Sequence, residues 1–172
     1  MGTLNAIYVR ATGQRAIALR EEYPTAYTEP GLEFYAVEQS QTAWTPPEAE
    51  LAALSARVSA DVLWLTFQSV SDSFQFLHWN SGKHVRALVY GCFVEQGLWE
   101  RVEGEPEPWE RGAFFDPASL KLWREGADPV ESAELERIWC HAEIAIGRTV
   151  PSIDARESAR AVAEFYRLPG WS

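Results

Sequence analysis

An α+β fold built on an antiparallel sheet follows from three properties of residues 61–103. Four β-rich runs succeed one another, the breaks between them are too short for crossovers, and apolar side chains occupy both strand faces. The runs are Asp61–Val70, Phe74–Trp79, Val85–Tyr90 and Leu98–Glu103, separated by Ser71-Asp72-Ser73, by Asn80-Ser81-Gly82-Lys83 and by a turn near Glu95-Gln96-Gly97. Phe74, Phe76 and His78 alternate with Gln75, Leu77 and Trp79, and Leu63, Leu65 and Phe67 alternate with Val62, Trp64 and Val70. A one-sided sheet would leave half of these in water, so the pattern predicts a cover on each face.

The flanking segments supply the covers. Leu4–Val9 is a short β-rich run closed by Thr12-Gly13, Ala16–Glu22 reads as a helix stopping before Pro24, and Leu32–Glu38 reads as a strand after the Pro30-Gly31 turn. This β-α-β opening is expected to flank the meander or extend its edge. It carries no G-x-G-x-x-G, hence no dinucleotide signature. A helix over 47–59 follows from Thr45 as cap, Pro46 at the first helical position, Glu48 completing a capping box, and the stripe Leu51, Leu54 and Val58.

After the meander, the alternating prolines of Gly104–Gly112 predict an extended surface loop. Asp116-Pro117 opens a short helix through about Trp123, ended by Gly126. Asp128-Pro129 opens another, with Leu135, Ile138, Trp139, Ala142 and Ile146 on one face and Gly147 as its stop. Asp154 leads a capping box with Glu157, and Ala155, Ala159, Val162, Ala163 and Tyr166 form the stripe of a last helix ending before Pro169. The whole chain of 172 residues is the size of one globular domain. A small β-α-β start followed by an aromatic hairpin, Phe74-x4-Trp79-x2-Gly82-x2-Val85-Arg86, resembles bacterial proteins of unassigned function. That resemblance implies no activity.

Composition bounds the function without naming it. Apolar residues at 47% and charged residues at 23% are those of an ordinary soluble protein, although eight Trp is a high count. A net charge of −10 argues against nucleic acid and anionic membrane as partners, since both demand a basic footprint. The excess is concentrated: residues 95–143 hold 13 acidic and 5 basic side chains. No apolar run is long enough to span a bilayer, the N-terminus lacks a signal-peptide layout, and Ala6 stands where a myristoylation motif requires Ser or Thr. A cytoplasmic, reducing location is the expectation.

The chemistry-bearing residues are few. His78 and His84 flank a hairpin whose register decides between two geometries: a three-residue loop opposes them, whereas a two-residue Ser-Gly loop opposes His84 to Trp79. Even opposed they lack a third ligand, so no metal is expected, and no cofactor. Cys140 and His141 are adjacent on a helix and diverge, and Cys92 and Cys140 read as buried, inert thiols. Nucleophile-elbow, zincin and phosphate-loop motifs are absent from the sequence.

Two functional readings remain. The leading one is a non-enzymatic binding or regulatory protein, such as an immunity-type inhibitor, that docks a basic protein through Glu103, Glu105, Glu107, Trp109 and Glu110. Trp109 among carboxylates either presents itself to a partner or folds back as a lid on the sheet. The second is a small-ligand binder or enzyme with a pocket between sheet and helices, using His78, Arg86, Tyr90 or Trp99.

Overall fold

The computed structural model describes residues 2–40, 42–94 and 97–171. In chain order these form β1 (Thr3–Arg10), α1 (Gln14–Glu22), β2 (Phe34–Glu38), α2 (Glu48–Val58), β3 (Asp61–Gln68), β4 (Ser73–Asn80), β5 (Lys83–Tyr90), β6 (Trp99–Gly104), α3 (Pro108–Phe114), α4 (Pro117–Arg124), α5 (Pro129–His141) and α6 (Ala155–Tyr166). The strands make one antiparallel sheet in the order β2-β1-β3-β4-β5-β6. The predicted meander is therefore present, and the opening unit extends its edge: β1 lies against β3 and β2 against β1. The β5–β6 turn near Glu95-Gln96-Gly97 falls partly outside the described residues.

Period-two alternation divides the apolar residues between two layers, as the doubly apolar strands require. On one face Ile7, Val62, Trp64, Leu77 and Trp79 pack under Leu19 of α1 and Leu51, Leu54 and Val58 of α2. On the other, Tyr8, Leu65, Phe76, Leu88 and Trp99 pack under Trp109 and Phe114 of α3, Trp139 of α5, and Ala159 and Val162 of α6. The N-terminal helices thus cover one face and the C-terminal helices the other.

Ser81 and Gly82 both have positive φ, 50° and 82°, and Asn80 pairs with Lys83. This is the two-residue hairpin, whose left-handed positions match the twist of the flanking strands. His84 accordingly opposes Trp79, and a register shift beside it leaves His78 opposite Arg86. The two imidazoles lie on opposite faces of the sheet.

Several expectations are corrected. The segment after β6 is not an extended loop: Pro108 occupies the first position of α3, where its missing N–H costs nothing. Glu107 is the N-cap and makes a reciprocal capping box with Glu110. Thr45 does not cap α2; Pro47 stands at that N-cap without a side-chain bond, and the Glu48 carboxylate pairs instead with Arg101 at 2.6 Å. Helix α5 ends at His141, because Ala142 adopts the left-handed conformation at φ 52° and turns Ile146 out of the predicted stripe. Asp154 does cap α6, but Glu157 pairs with Arg160 rather than closing a box. Val70 lies past the end of β3 and is exposed.

Candidate functional site

The carboxylates of the post-meander segment divide sharply. Glu103 and Glu105 face solvent, whereas Glu107, Trp109 and Glu110 are buried, Glu110 at 1% exposure. Trp109 is the inward lid: its ring meets Phe76 at 5.2 Å and Phe114 at 5.4 Å, edge to face. As a partner-facing surface, the stretch Glu103 to Glu110 would have to withdraw three side chains from the core. The helix that starts at Pro108 is what turned them inward.

What they reach is a buried polar network on the sheet face beneath α3 and α6. His78 places Nε2 3.0 Å from Asp61 Oδ1 and Nδ1 2.6 Å from Glu107 Oε1. Asp61 also accepts from Asn80 and from Arg10, the latter at 2.7 Å. Glu107 also accepts from the Tyr166 hydroxyl at 2.6 Å and from the Trp109 indole at 2.8 Å. One strand position further along the sheet, Arg86 makes a two-pronged pair with Glu110 at 2.8 and 2.6 Å, and its remaining prong donates to the carbonyls of Glu103 and Gly104.

Burial and hydrogen bonding pull these groups in opposite directions. Burial alone would lower His78, but its bonds to Asp61 and Glu107 prevail and raise it above 6.5. Burial would raise Asp61 and Glu107; the donors around them, His78 first, prevail and hold both below the usual carboxylate range. Glu110 is raised by its burial, with Arg86 working against that. Tyr166 is pushed far up by burial and by the Glu107 charge.

All four residues of the expected sheet pocket do share this face, yet each is spent internally. Both ring nitrogens of His78 are bonded, the Arg86 fork is filled, the Trp99 indole donates to the Pro151 carbonyl at 2.8 Å, and Tyr90 packs on Trp99 at 5.0 Å. A general base needs a lone pair within reach of a substrate proton, and His78 in this arrangement offers none. Cys92 is half-buried, its thiol pushed up to about 12 by burial, whereas Cys140 is exposed rather than buried. Among the described residues no group of three or more His, Cys, Asp or Glu side chains is placed to hold a metal ion. None of the described helices is long and apolar enough to cross a membrane.

The open space lies elsewhere, in a cleft of about 890 Å³ between α4, α5 and the segment 143–152. Asp116 caps α4 and Asp128 caps α5, so two Asp-Pro starts set the helices in succession. Trp139 anchors the pair to the core through an indole bond to the Asp116 carbonyl at 2.9 Å and an edge contact with Phe115. No residue of α4 is fully buried. Leu122, Trp123 and Ile138 line the cleft, and Leu122 stands 68% exposed in it.

Four carboxylates border this cleft, and their partners set where its negative charge remains. Arg137 pairs with both Glu134 and Glu143, and Arg148 of the same lining also acts on Glu134, so two positive charges face these two carboxylates. Glu131 caps the backbone of Asp128, and Glu125 makes no ion pair among the described residues. The negative pole therefore sits at the turn joining α4 to α5. Sequence reasoning placed the acidic excess in 95–143 but missed this cleft. The available signal was a helix too short to bury Leu120, Leu122 and Trp123. No family model, curated protein or solved structure matches the chain.

Proposed function

We propose that this chain is a non-enzymatic binding protein, acting in the manner of an immunity-type inhibitor, that docks a basic protein on the acidic, Trp-containing cleft between α4 and α5. The observation that carries the reading is the coincidence of apolar lining side chains, Leu122 at 68% exposure with the partly buried Trp123 and Ile138, with an acidic turn. Clustered exposed apolar side chains rimmed by charge are the composition of docking surfaces. Trp123 takes the anchoring role first assigned to Trp109, and carboxylates speed the encounter with a cationic partner.

A small cationic ligand is the second reading, favoured by the cleft volume of about 890 Å³, which lies in the range of roughly 300–1,000 Å³ typical of ligand pockets. The test is capture from the source organism's lysate on immobilised wild type, Leu122→Asp and Glu125→Lys, at low and high salt. A basic protein retained at low salt, released at high salt and lost with both variants supports docking. Both positions are exposed, so the melting temperature should hold. Retention unchanged by either variant would overturn the cleft as the docking surface.

A further inference from the structure

A neutral imidazole carries one N–H and one lone pair. His78 has a carboxylate oxygen on each ring nitrogen, 3.0 Å away on the Asp61 side and 2.6 Å on the Glu107 side. Whichever tautomer a neutral ring adopted, one lone pair would face a buried carboxylate. With both carboxyl groups ionised, only the doubly protonated ring satisfies both. We propose that His78 is held as an imidazolium, and that its second proton is a latch fastening the start of α3 and the end of α6 to the sheet.

The groups packed around the ring favour ionised carboxylates on both sides of it. From β1, Arg10 donates to Asp61, and from β4, Asn80 does the same. From α3, the Trp109 indole donates to Glu107, whose side chain also accepts the Glu110 backbone N–H as the helix cap. From α6, Tyr166 donates to Glu107 and lies 3.3 Å from His78 Nδ1. Each carboxylate is thus ringed by donors, which favours its charged form. Arg10 and the imidazolium balance Asp61 and Glu107, while Arg86 balances Glu110 from β5. Loss of the His78 proton leaves one buried negative charge uncompensated.

Glu107 is the point where this matters, since it caps α3 and also receives the α6 tyrosine. With the proton gone, repulsion at Nδ1 or Nε2 acts on the capping carboxylate or on Asp61, and the contacts of α3 and α6 with the sheet weaken. The direction follows from linkage. His78 is raised above 6.5 in the folded state, so its contribution is complete below 6.5 and is lost as pH rises through the folded midpoint. The latch opens on the alkaline side.

Long-range nitrogen–proton NMR of the imidazoles in the intact chain, from about pH 6 to about pH 9 across the histidine range, reads the proton directly. Both His78 nitrogens should be protonated at neutral pH, with a midpoint above 6.5. Amide protection in the first turn of α3 and the last turn of α6, corrected for intrinsic exchange, should fall about tenfold per pH unit between 6.5 and that midpoint and then level off. His78→Gln should abolish this dependence. Asp61→Asn, which keeps shape and removes one carboxylate, should bring the midpoint down. A single neutral tautomer at neutral pH, or a midpoint that Asp61→Asn leaves in place, would overturn the latch. Because the experiment uses the free protein, its outcome is independent of whether the cleft docks a partner.

Discussion

Trp109 separates packing from recognition at a single position. Its ring fills the space between Phe76 of the sheet and Phe114 of its own helix, and its indole N–H is spent on Glu107. Truncation to alanine removes those contacts and opens a cavity, so Trp109→Ala should cost about 3–5 kcal/mol of stability. Denaturant titration measures this. Capture of a partner, corrected for the folded fraction, should be unchanged, whereas Trp123→Ala, which truncates a ring that lines the cleft and is partly buried against the core, should weaken capture even after the same correction. Arg86 and Glu110 make a second residue-scale case. Removing one member of a fully buried pair leaves an uncompensated charge, so Arg86→Met should cost about 3–5 kcal/mol.

Gly104 governs how β6 hands over to α3. It has φ +78°, and a Cβ there would stand 1.9 Å from the Val85 carbonyl oxygen. No side-chain rotation relieves a clash with backbone. Gly104→Ala should therefore exceed the roughly 1 kcal/mol of an ordinary left-handed penalty and should disturb the Arg86 bonds to the carbonyls beside it. Circular dichroism melting, with amide shifts at Arg86 and Glu110, would register both effects.

The elements that were legible in sequence are those whose local signals and burial agree. Phe74-Gln-Phe-Leu-His-Trp alternates because both faces of β4 are covered, and Ser81-Gly82 is a turn because both residues take positive φ. Asp116-Pro117, Asp128-Pro129 and Asp154 start helices where their side chains bond to free N–H groups. Failures came where one residue has two uses. Proline breaks a helix interior but suits a first position, and Glu107-Pro108 is the second case read as the first. The candidate site was half legible. His78 and Arg86 share a face by periodicity alone, but their partners arrive from α3 and α6, and no local pattern encodes that meeting.

At the scale of the molecule, stability should have a ceiling on each side of the pH axis. Asp61 and Glu107 have folded values below their ordinary 3.8 and 4.5, so their contributions are complete above those values and are lost as pH falls through the depressed ones. His78 has the opposite sign and loses its contribution as pH rises above 6.5. Glu110, raised by burial, has the sign of His78: its contribution is complete below 4.5 and is lost as pH rises through its raised value, which tilts the optimum toward its acid end. Denaturation midpoints should be highest between about pH 4.5 and 6.5, and the alkaline limb should flatten in His78→Gln. A midpoint still rising above neutral pH would contradict this balance.

The sheet order β2-β1-β3-β4-β5-β6 also sets a timetable. Strands β3 to β6 pair with their immediate successors across short turns, so their contacts close small loops early. Strand β1 must wait for residues 11–60 to fold back before it meets β3, and α6 reaches the same strands from the far end of the chain. The meander is thus the natural nucleus, and the outer layers condense on it. Two core truncations separate the stages. Leu77→Ala, at the centre of β4, should chiefly slow refolding, whereas Val162→Ala, in α6, should leave refolding nearly unchanged and chiefly hasten unfolding. The same order implies that, as the chain emerges during synthesis, the sheet face awaiting α3 and α6 is exposed until residues 108–166 follow. Its aromatic surface is then the segment most in need of protection from other nascent chains.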